Sequence, residues 1–380
     1  MRIALCTTSL AKYGGAASFQ DHLAAQLRGT GNDVSQYRIG RTDEKKGRII
    51  CVDKGCIKRP DEKFIAEERL TCGWEDLWSR HDVVHITNPG SLHLGFDWDQ
   101  LFATKHGPLV LTVHDPHEIE VLGPTLIRLC EVADIVTFLS PRYMQHFVSA
   151  GYVDTPTMAD KARSALQPYV RRTNPTEPLL KLRRAVCTSA WRPVKRIDLI
   201  VKAAGHLPVS RDPADAALLT PPHREGGKIM PLEFWSGDGV GYVEDMVENL
   251  PGMANCDDHG AWEDTQIREI YGTAAVVVNM TMFDESDTGR TEYPILEAWD
   301  YQVMPVIGTD FAGDDFFGQL EPGFNCMTTE PEPEAIAARI MDAIENPKPS
   351  AYFAKSLEPH TKAGLRYHEL YEEAIERCDI

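Results

Sequence analysis

His114 closes the apolar run PLVLTVHD and, with Asp115 and His117, forms the motif HDPH. A histidine at a strand end can hydrogen-bond a polar substrate or stabilise developing charge; capping the next segment is the alternative. A metal reading needs a third and fourth ligand in suitable geometry, and the sequence shows none. In TSAWRPVKRIDL, Arg192, Lys195 and Arg196 sit between an apolar run and a helical pattern. Such a cluster can neutralise a leaving diphosphate, on which negative charge grows as its bond breaks. A solvated basic turn is the rival. In GRTEYPILEAWDY, Pro294 marks a helix start, because proline suits the first helical position. The free N–H groups there form a ready anion site. Glu292 falls just outside that helix and Glu297 is expected in its first turn, with Arg290 close enough in sequence to pair with either carboxylate. Gly14 and Gly15 follow the first apolar run. Their backbone can approach a phosphate or sugar closely, or simply turn tightly. The spacing is not GxGxxG and no Gly-Lys-Ser/Thr is present, so neither a dinucleotide fingerprint nor a P-loop is read.

These residues need a scaffold, and the hydrophobic pattern supplies one. RIALCTT, DVSQYRI, DVVHITNP, PLVLTVHD and DIVTFLS read as buried strands separated by helical segments. A second cycle runs through RAVCTSAW, IMPLEFWSG, AVVVNMTM and MPVIGTD, with helices RIDLIVKAAGHL, DTQIREIYGTA, YPILEAWDY and EAIAARIMDAIEN between or after them. Alternating strand and helix predicts parallel sheets covered on both faces. The fold class is therefore α/β, two doubly wound Rossmann-like units. RRTNPTEP (171–178), polar and with two prolines, is the linker candidate. The expected domains are 1–172, 173–352 and a helical segment, 353–380, returning to the first. In that last segment Tyr367, Leu370, Tyr371, Ala374 and Cys378 share a face. Ligands of such sheets bind beyond the carboxyl ends of the strands, so the predicted site is a cleft between the two units.

Composition bounds the partners. The chain has 380 residues, 43% hydrophobic and 25% charged, as in an ordinary globular protein, and disorder and coiled coil are out. No apolar stretch is long enough to span a membrane, and no signal peptide opens the chain. Nine cysteines without a CxxC pair fit free thiols in a reducing cytoplasm. The net charge is −18, yet 229–350 holds 25 acidic and 4 basic residues. The remainder is slightly basic, with seven Lys/Arg in 45–63 and seven in 161–184. Overall acidity therefore does not veto a polyanionic partner for the N-terminal half.

In this order, the GG loop, the HD after a later strand, the W-R-x-x-K-R segment and the L-E of the late helix resemble the GT-B glycosyltransferases. The likeness is to the large retaining family 4, over nearly the whole chain. Of that family's two glutamates eight apart, Glu297 matches the second, while Gly289 stands at the first; Ala190 occupies the place of the usual arginine. A narrower resemblance covers R-T-E-Y-P-I-L-E, the H-D at Asp115 and CEVADIVTFLS. These are similar to phage DNA alpha-glucosyltransferases, which act on hydroxymethylcytosine in duplex DNA.

The resemblance implies retaining transfer of a hexose from a nucleotide diphosphate sugar, UDP-glucose foremost, to a hydroxyl, with no metal or other cofactor required. It implies that His114 contacts the donor sugar and that Arg192 and Lys195 neutralise the diphosphate. Glu297 would hold the ribose and Glu292 the sugar or a basic neighbour, with Gly14, Gly15, Arg196, Arg290 and Tyr293 completing donor binding. Trp262 would lie near the base or in the core. The implied acceptor is a 5-hydroxymethyl pyrimidine in phage DNA, reached through the basic stretches 45–63 and 161–184, in the cytoplasm of an infected cell. The alternatives are a polysaccharide, lipid or small-molecule acceptor, a sugar-nucleotide-binding protein without catalysis, suggested by Gly289 and Ala190, and a nucleotide-sugar epimerase.

Overall fold

The structure, a computed structural model, describes residues 1–7, 15–42, 45–51, 71–72, 74–89, 98–114, 123–149, 151, 155–174, 181, 184–189, 195–208, 232–235, 250–259, 266–282, 292–312 and 320–378. Their contacts form two units. One joins Met1–Val170 with Pro359–Ile380; the other joins Arg171–Asp284 with Glu292–Glu358.

The first unit runs β1 (Arg2–Thr7), α1 (Gly15–Gly29), β2 (Asp33–Thr42), β3 (Lys45–Cys51), β4 (Thr71–Cys72), α2 (Trp74–Arg80), β5 (Val83–Thr87) and α3 (Trp98–Thr104). It continues through β6 (Leu109–Val113), α4 (Pro124–Val132), β7 (Ile135–Phe138), α5 (Pro141–Ser149), α6 (Thr155–Lys161) and β8 (Ala162–Ser164). The sheet order is β4-β3-β2-β1-β5-β6-β7-β8. The interior strands β1, β5, β6 and β7 are parallel and buried on both faces, which is why they read as unbroken apolar runs. One edge departs from the expected parallel sheet: β3 is antiparallel to both β2 and β4. Only two residues separate β2 from β3, too few for the crossover that parallel pairing needs. Basic residues at 45–48, expected on a polyanion-facing stretch, thus begin β3, the strand beside the edge strand β4. The rest of 45–63 lies outside the described residues.

The second unit runs β9 (Ala185–Cys187), α7 (Ile197–Ala204), β10 (Leu232–Phe234), β11 (Cys256–Asp258), α8 (Ile267–Thr273), β12 (Val276–Asn279) and α9 (Tyr293–Asp300). Then come β13 (Met304–Gly308), α10 (Thr309–Ala312), β14 (Met327–Thr329), α11 (Pro333–Glu345) and α12 (Ser350–Thr361). Its six strands are all parallel, in the order β11-β10-β9-β12-β13-β14. Numbered within the unit this is 3-2-1-4-5-6, the doubly wound order whose direction reverses between its first and fourth strands.

The last helix, α13 (Ala363–Cys378), packs on the first unit with Tyr367, Leu370, Tyr371 and Ala374 fully buried, the face expected from their spacing. Cys378 is only half-buried. Gln26 of α1 ties three segments of the first unit together. Its Nε2 donates to the carbonyls of Tyr169 (2.7 Å) and His360 (2.9 Å), and its Oε1 accepts from Gly364 N–H at 2.6 Å. Glycine is required at 364 because a Cβ would meet Gln26 Cβ at 2.6 Å.

Two buried histidines make this unit acid-sensitive. Burial lowers the pKa of His85 to about 3, with the charge of His114 adding to it, and that of His360 to about 4. Neutral His85 is satisfied by Tyr371 OH at Nδ1 (2.8 Å) and Thr112 Oγ1 at Nε2 (2.6 Å); His360 Nδ1–H donates to Gln167 O at 2.8 Å. Unfolded, both histidines take a proton near 6.5, whereas the folded chain refuses it until far lower pH. Their contribution is therefore full above about 6.5 and is lost as pH falls toward 4. Unfolding free energy should drop by up to about 1.4 kcal/mol per pH unit for each histidine. Denaturant melts between pH 7 and 5, above the carboxylate range, check this; a flat profile there contradicts it, and His360→Gln should remove one proton from the slope.

Candidate functional site

In a 3-2-1-4-5-6 sheet, the loops leaving the first and fourth strands part from each other and leave a crevice at their carboxyl ends. Here those strands are β9 and β12, and polar residues gather where each apolar run stops. Thr188 and Ser189 follow β9; Asn279 ends β12 and Thr281 lies two residues on; all four are buried. Asn279 Oδ1 accepts from Thr281 N–H at 3.0 Å and from the Thr281 hydroxyl, which fixes the end of the strand.

Lys195 is anchored against this edge. Its Nζ donates to Glu292 Oε1 at 2.6 Å and to Thr281 Oγ1 at 3.1 Å, and the residue is 9% exposed. Glu292 is the N-cap of α9, but its side chain makes no cap hydrogen bond; it turns to the lysine instead. Its carbonyl accepts from Ile295 N–H at 3.0 Å, which starts the helix. Tyr293 is the first helical residue, buried, and Pro294 the second. A cation thus stands beside a helix N-terminus. Both attract the same class of ligand, an anion.

Glu297 falls in the second turn of α9, not the expected first, because the helix starts at Tyr293 and no acid lies in its first turn. It is buried, and its Oε2 accepts from Tyr271 OH at 2.6 Å; that phenol also bonds Thr188 Oγ1 at 2.7 Å. A chain of hydrogen bonds from β9 through α8 to α9 therefore orients this carboxylate. Tyr271, Thr281 and Asn279 were not picked out by sequence reasoning. The available signal was a polar pair closing an otherwise apolar strand, AVVVNMT.

Arg196, expected to bind the donor, pairs its guanidinium with Asp310 at 2.8 Å. It sits in the left-handed region, φ 49°, at the N-cap of α7. Gly308 leaves room for the pair, since a Cβ there would collide with Asp310. Toward β10, Arg184 forms a buried ion pair with Glu233, and Trp235 stacks on His259 with centroids 4.0 Å apart and planes 11° apart.

In the first unit, His114 follows β6 and is buried, its ring edge-on to Phe19 at 4.7 Å. Gly15 is exposed at the start of α1, and a Cβ there would meet nothing within 4 Å. Gly14, Asp115, His117, Arg192, Trp262 and Arg290 lie outside the described residues.

Four cations of the basic stretch 161–184 take partners within the chain. Lys161 donates to Glu131 O, Arg163 pairs with Glu373, and Arg184 with Glu233. Lys181 donates to the carbonyls of Tyr271 (3.1 Å), Gly272 (3.4 Å) and Tyr301 (2.6 Å), tying the ends of α8 and α9 together.

No known protein family matches the sequence, and no curated protein is similar to it at a significant level. Solved structures do match. HepE of Anabaena, in complex with UDP and glucose, covers 97% of this chain and 98% of its own, with a TM-score of 0.62 at 14% identity. A glycosyltransferase of Rickettsia africae covers 99% of both chains, with a TM-score of 0.59 at 13% identity. The catalytic domain of starch synthase IV of Arabidopsis thaliana, bound to ADP and acarbose, covers 99% of both at 0.59 and 12%.

The fold is GT-B. The α/β class and the two Rossmann-like units expected from the alternation of strands and helices stand, with the antiparallel edge at β3 and β4 as the exception. Among the described residues no helix is long and apolar enough to cross a membrane.

Proposed function

We propose that this chain is a retaining glycosyltransferase that moves a hexose from a nucleotide diphosphate sugar, UDP-glucose foremost, to a hydroxyl acceptor without a metal. The observation that carries this reading is Lys195, held by Glu292 and Thr281 at the switch point of the second sheet beside the N-terminus of α9. As the sugar leaves, negative charge collects on the diphosphate, and a fixed ammonium with oriented N–H groups lowers the barrier. Arg192 is assigned the same task. Glu297, oriented by Tyr271, receives the ribose hydroxyls, and His114 on the first unit contacts the donor sugar. Complexes of similar folds with UDP and glucose support the choice of donor.

For the acceptor, the segment R-T-E-Y-P-I-L-E and the charge of 45–63 support a 5-hydroxymethyl pyrimidine in duplex DNA. A second reading, a carbohydrate or small-molecule hydroxyl, is favoured because Lys161, Arg163, Lys181 and Arg184 are held by partners within the chain. One assay separates them. Nucleotide sugars are offered with duplex DNA containing hydroxymethylcytosine or hydroxymethyluracil, and separately with oligosaccharides, and products are weighed by mass spectrometry. A hexose-sized gain on the nucleoside supports DNA; a gain on the oligosaccharide alone supports the second reading; turnover of no donor rejects the enzyme. EDTA should leave the rate unchanged.

The ribose assignment has its own test. Glu297→Ala should weaken UDP binding by about 10–100-fold, the loss of hydrogen bonds to a charged acceptor. Tyr271→Phe should weaken it less, because the carboxylate stays and only its orientation loosens. Calorimetry measures both, and unchanged affinity in Glu297→Ala moves the ribose elsewhere.

A further inference from the structure

His114 lies two residues beyond Thr112, just past the end of β6, and by the alternation of the strand their side chains face the same side of the sheet. That side is covered by α1 and α13. The His114 ring packs edge-on against Phe19 of α1, with centroids 4.7 Å apart and planes at 75°. Phe19 packs in the same way on Tyr367 of α13, at 5.8 Å and 82°. Tyr367 is held from behind. It stacks on His85 at 5.8 Å, and its hydroxyl has Thr112 and Thr137 as polar neighbours. Thr112 Oγ1 bonds both His85 Nε2 and Thr137 Oγ1 at 2.6 Å, and Tyr371 OH bonds His85 Nδ1. Phe19, Tyr367, His85 and Tyr371 are all fully buried. Rings packed edge to face in a close-packed interior pass a displacement of one on to the next.

We propose that Tyr367 and Phe19 are positioning residues for His114: the C-terminal helix, through the Phe19 ring, sets the orientation in which the imidazole meets the donor sugar. This rests on the donor-sugar role assigned to His114 above. It gives the last sixteen described residues a part in turnover as well as in folding. A group 1 Å out of place loses much of its rate advantage, so the effect falls on kcat. Affinity for UDP, which lacks the sugar, is untouched.

The test uses the full chain with UDP-glucose or whichever donor the panel shows to turn over. Tyr367→Leu should lower kcat about tenfold with UDP affinity unchanged, and should shift the His114 imidazole resonance in NMR. Tyr367→Phe, which keeps the ring, should restore kcat to within about twofold and return the resonance. Leu370→Ala, a cavity on the same buried helix face but not one of the rings, should lower stability without lowering kcat below the melting range. If Tyr367→Leu does not fold, Phe19→Leu interrupts the stack at its middle and makes the same prediction. Wild-type kcat in a folded Tyr367→Leu or Phe19→Leu, or equal kcat loss in Leu370→Ala, overturns the positioning role. A wild-type chain that turns over no nucleotide sugar instead defeats the proposed function itself.

Discussion

Lys195→Met is expected to lower kcat for donor turnover by about 10²–10³-fold, the effect of removing one preorganised donor to a developing anion. An ammonium has three N–H donors. Among the described residues Glu292 and Thr281 take two of them, which leaves one for a diphosphate oxygen. The geometry also dictates the control. Glu292 is half-buried against Lys195, so losing the cation strands its carboxylate and destabilises the fold. Lys195→Met combined with Glu292→Gln removes that stranded charge. The double variant should regain stability in denaturant melts but not rate. If rate returns with stability, Lys195 serves the fold alone, and the diphosphate role passes to other residues.

Arg184→Met should destabilise the second unit by about 3–5 kcal/mol, the range for breaking a buried pair by removing one partner. Both terminal nitrogens of Arg184 are engaged: Nη1 reaches Glu233, and Nη2 donates to Glu269 O (2.9 Å), Ile270 O (3.2 Å) and Thr273 Oγ1. It thereby fastens the start of β9 to the last turn of α8, where helix carbonyls welcome a cation. Burial alone would push the pKa of Glu233 up; His259 and Arg184 together outweigh it and hold it at about 2. That carboxylate therefore stabilises fully above about pH 4.5 and loses its contribution as pH falls through 2. Without Arg184 the acid limb should move to higher pH. Equilibrium unfolding across pH 2–6 reads both effects, and an unchanged midpoint and acid limb would show that the pair contributes nothing.

The alternation of apolar runs with helical patterns was enough to read two doubly wound units. A strand buried on both faces must be continuously apolar, and RIALCT, LVLTV and VVVN are nearly so. The antiparallel pairing of Lys45–Cys51 was not legible, because its lysines and arginine read as a charge run rather than as a strand. Part of the site was legible for a local reason. Pro294 and the preceding glutamate mark a helix start from composition alone, and His114 stands where an apolar run meets polar residues.

Which partner each group takes was decided only by the tertiary structure. Lys195 meets Glu292 across 97 residues, Tyr271 reaches Glu297 across 26, and Phe19 lies between His114 and Tyr367. Arg196 and much of 161–184 look like free positive charge in the sequence and are internal partners in the fold. Local sequence sets backbone propensity and which face turns inward, because both depend on near neighbours and on period. Ion pairing and ring packing depend on distances between segments, and those exist only once the sheets have set the order of their strands.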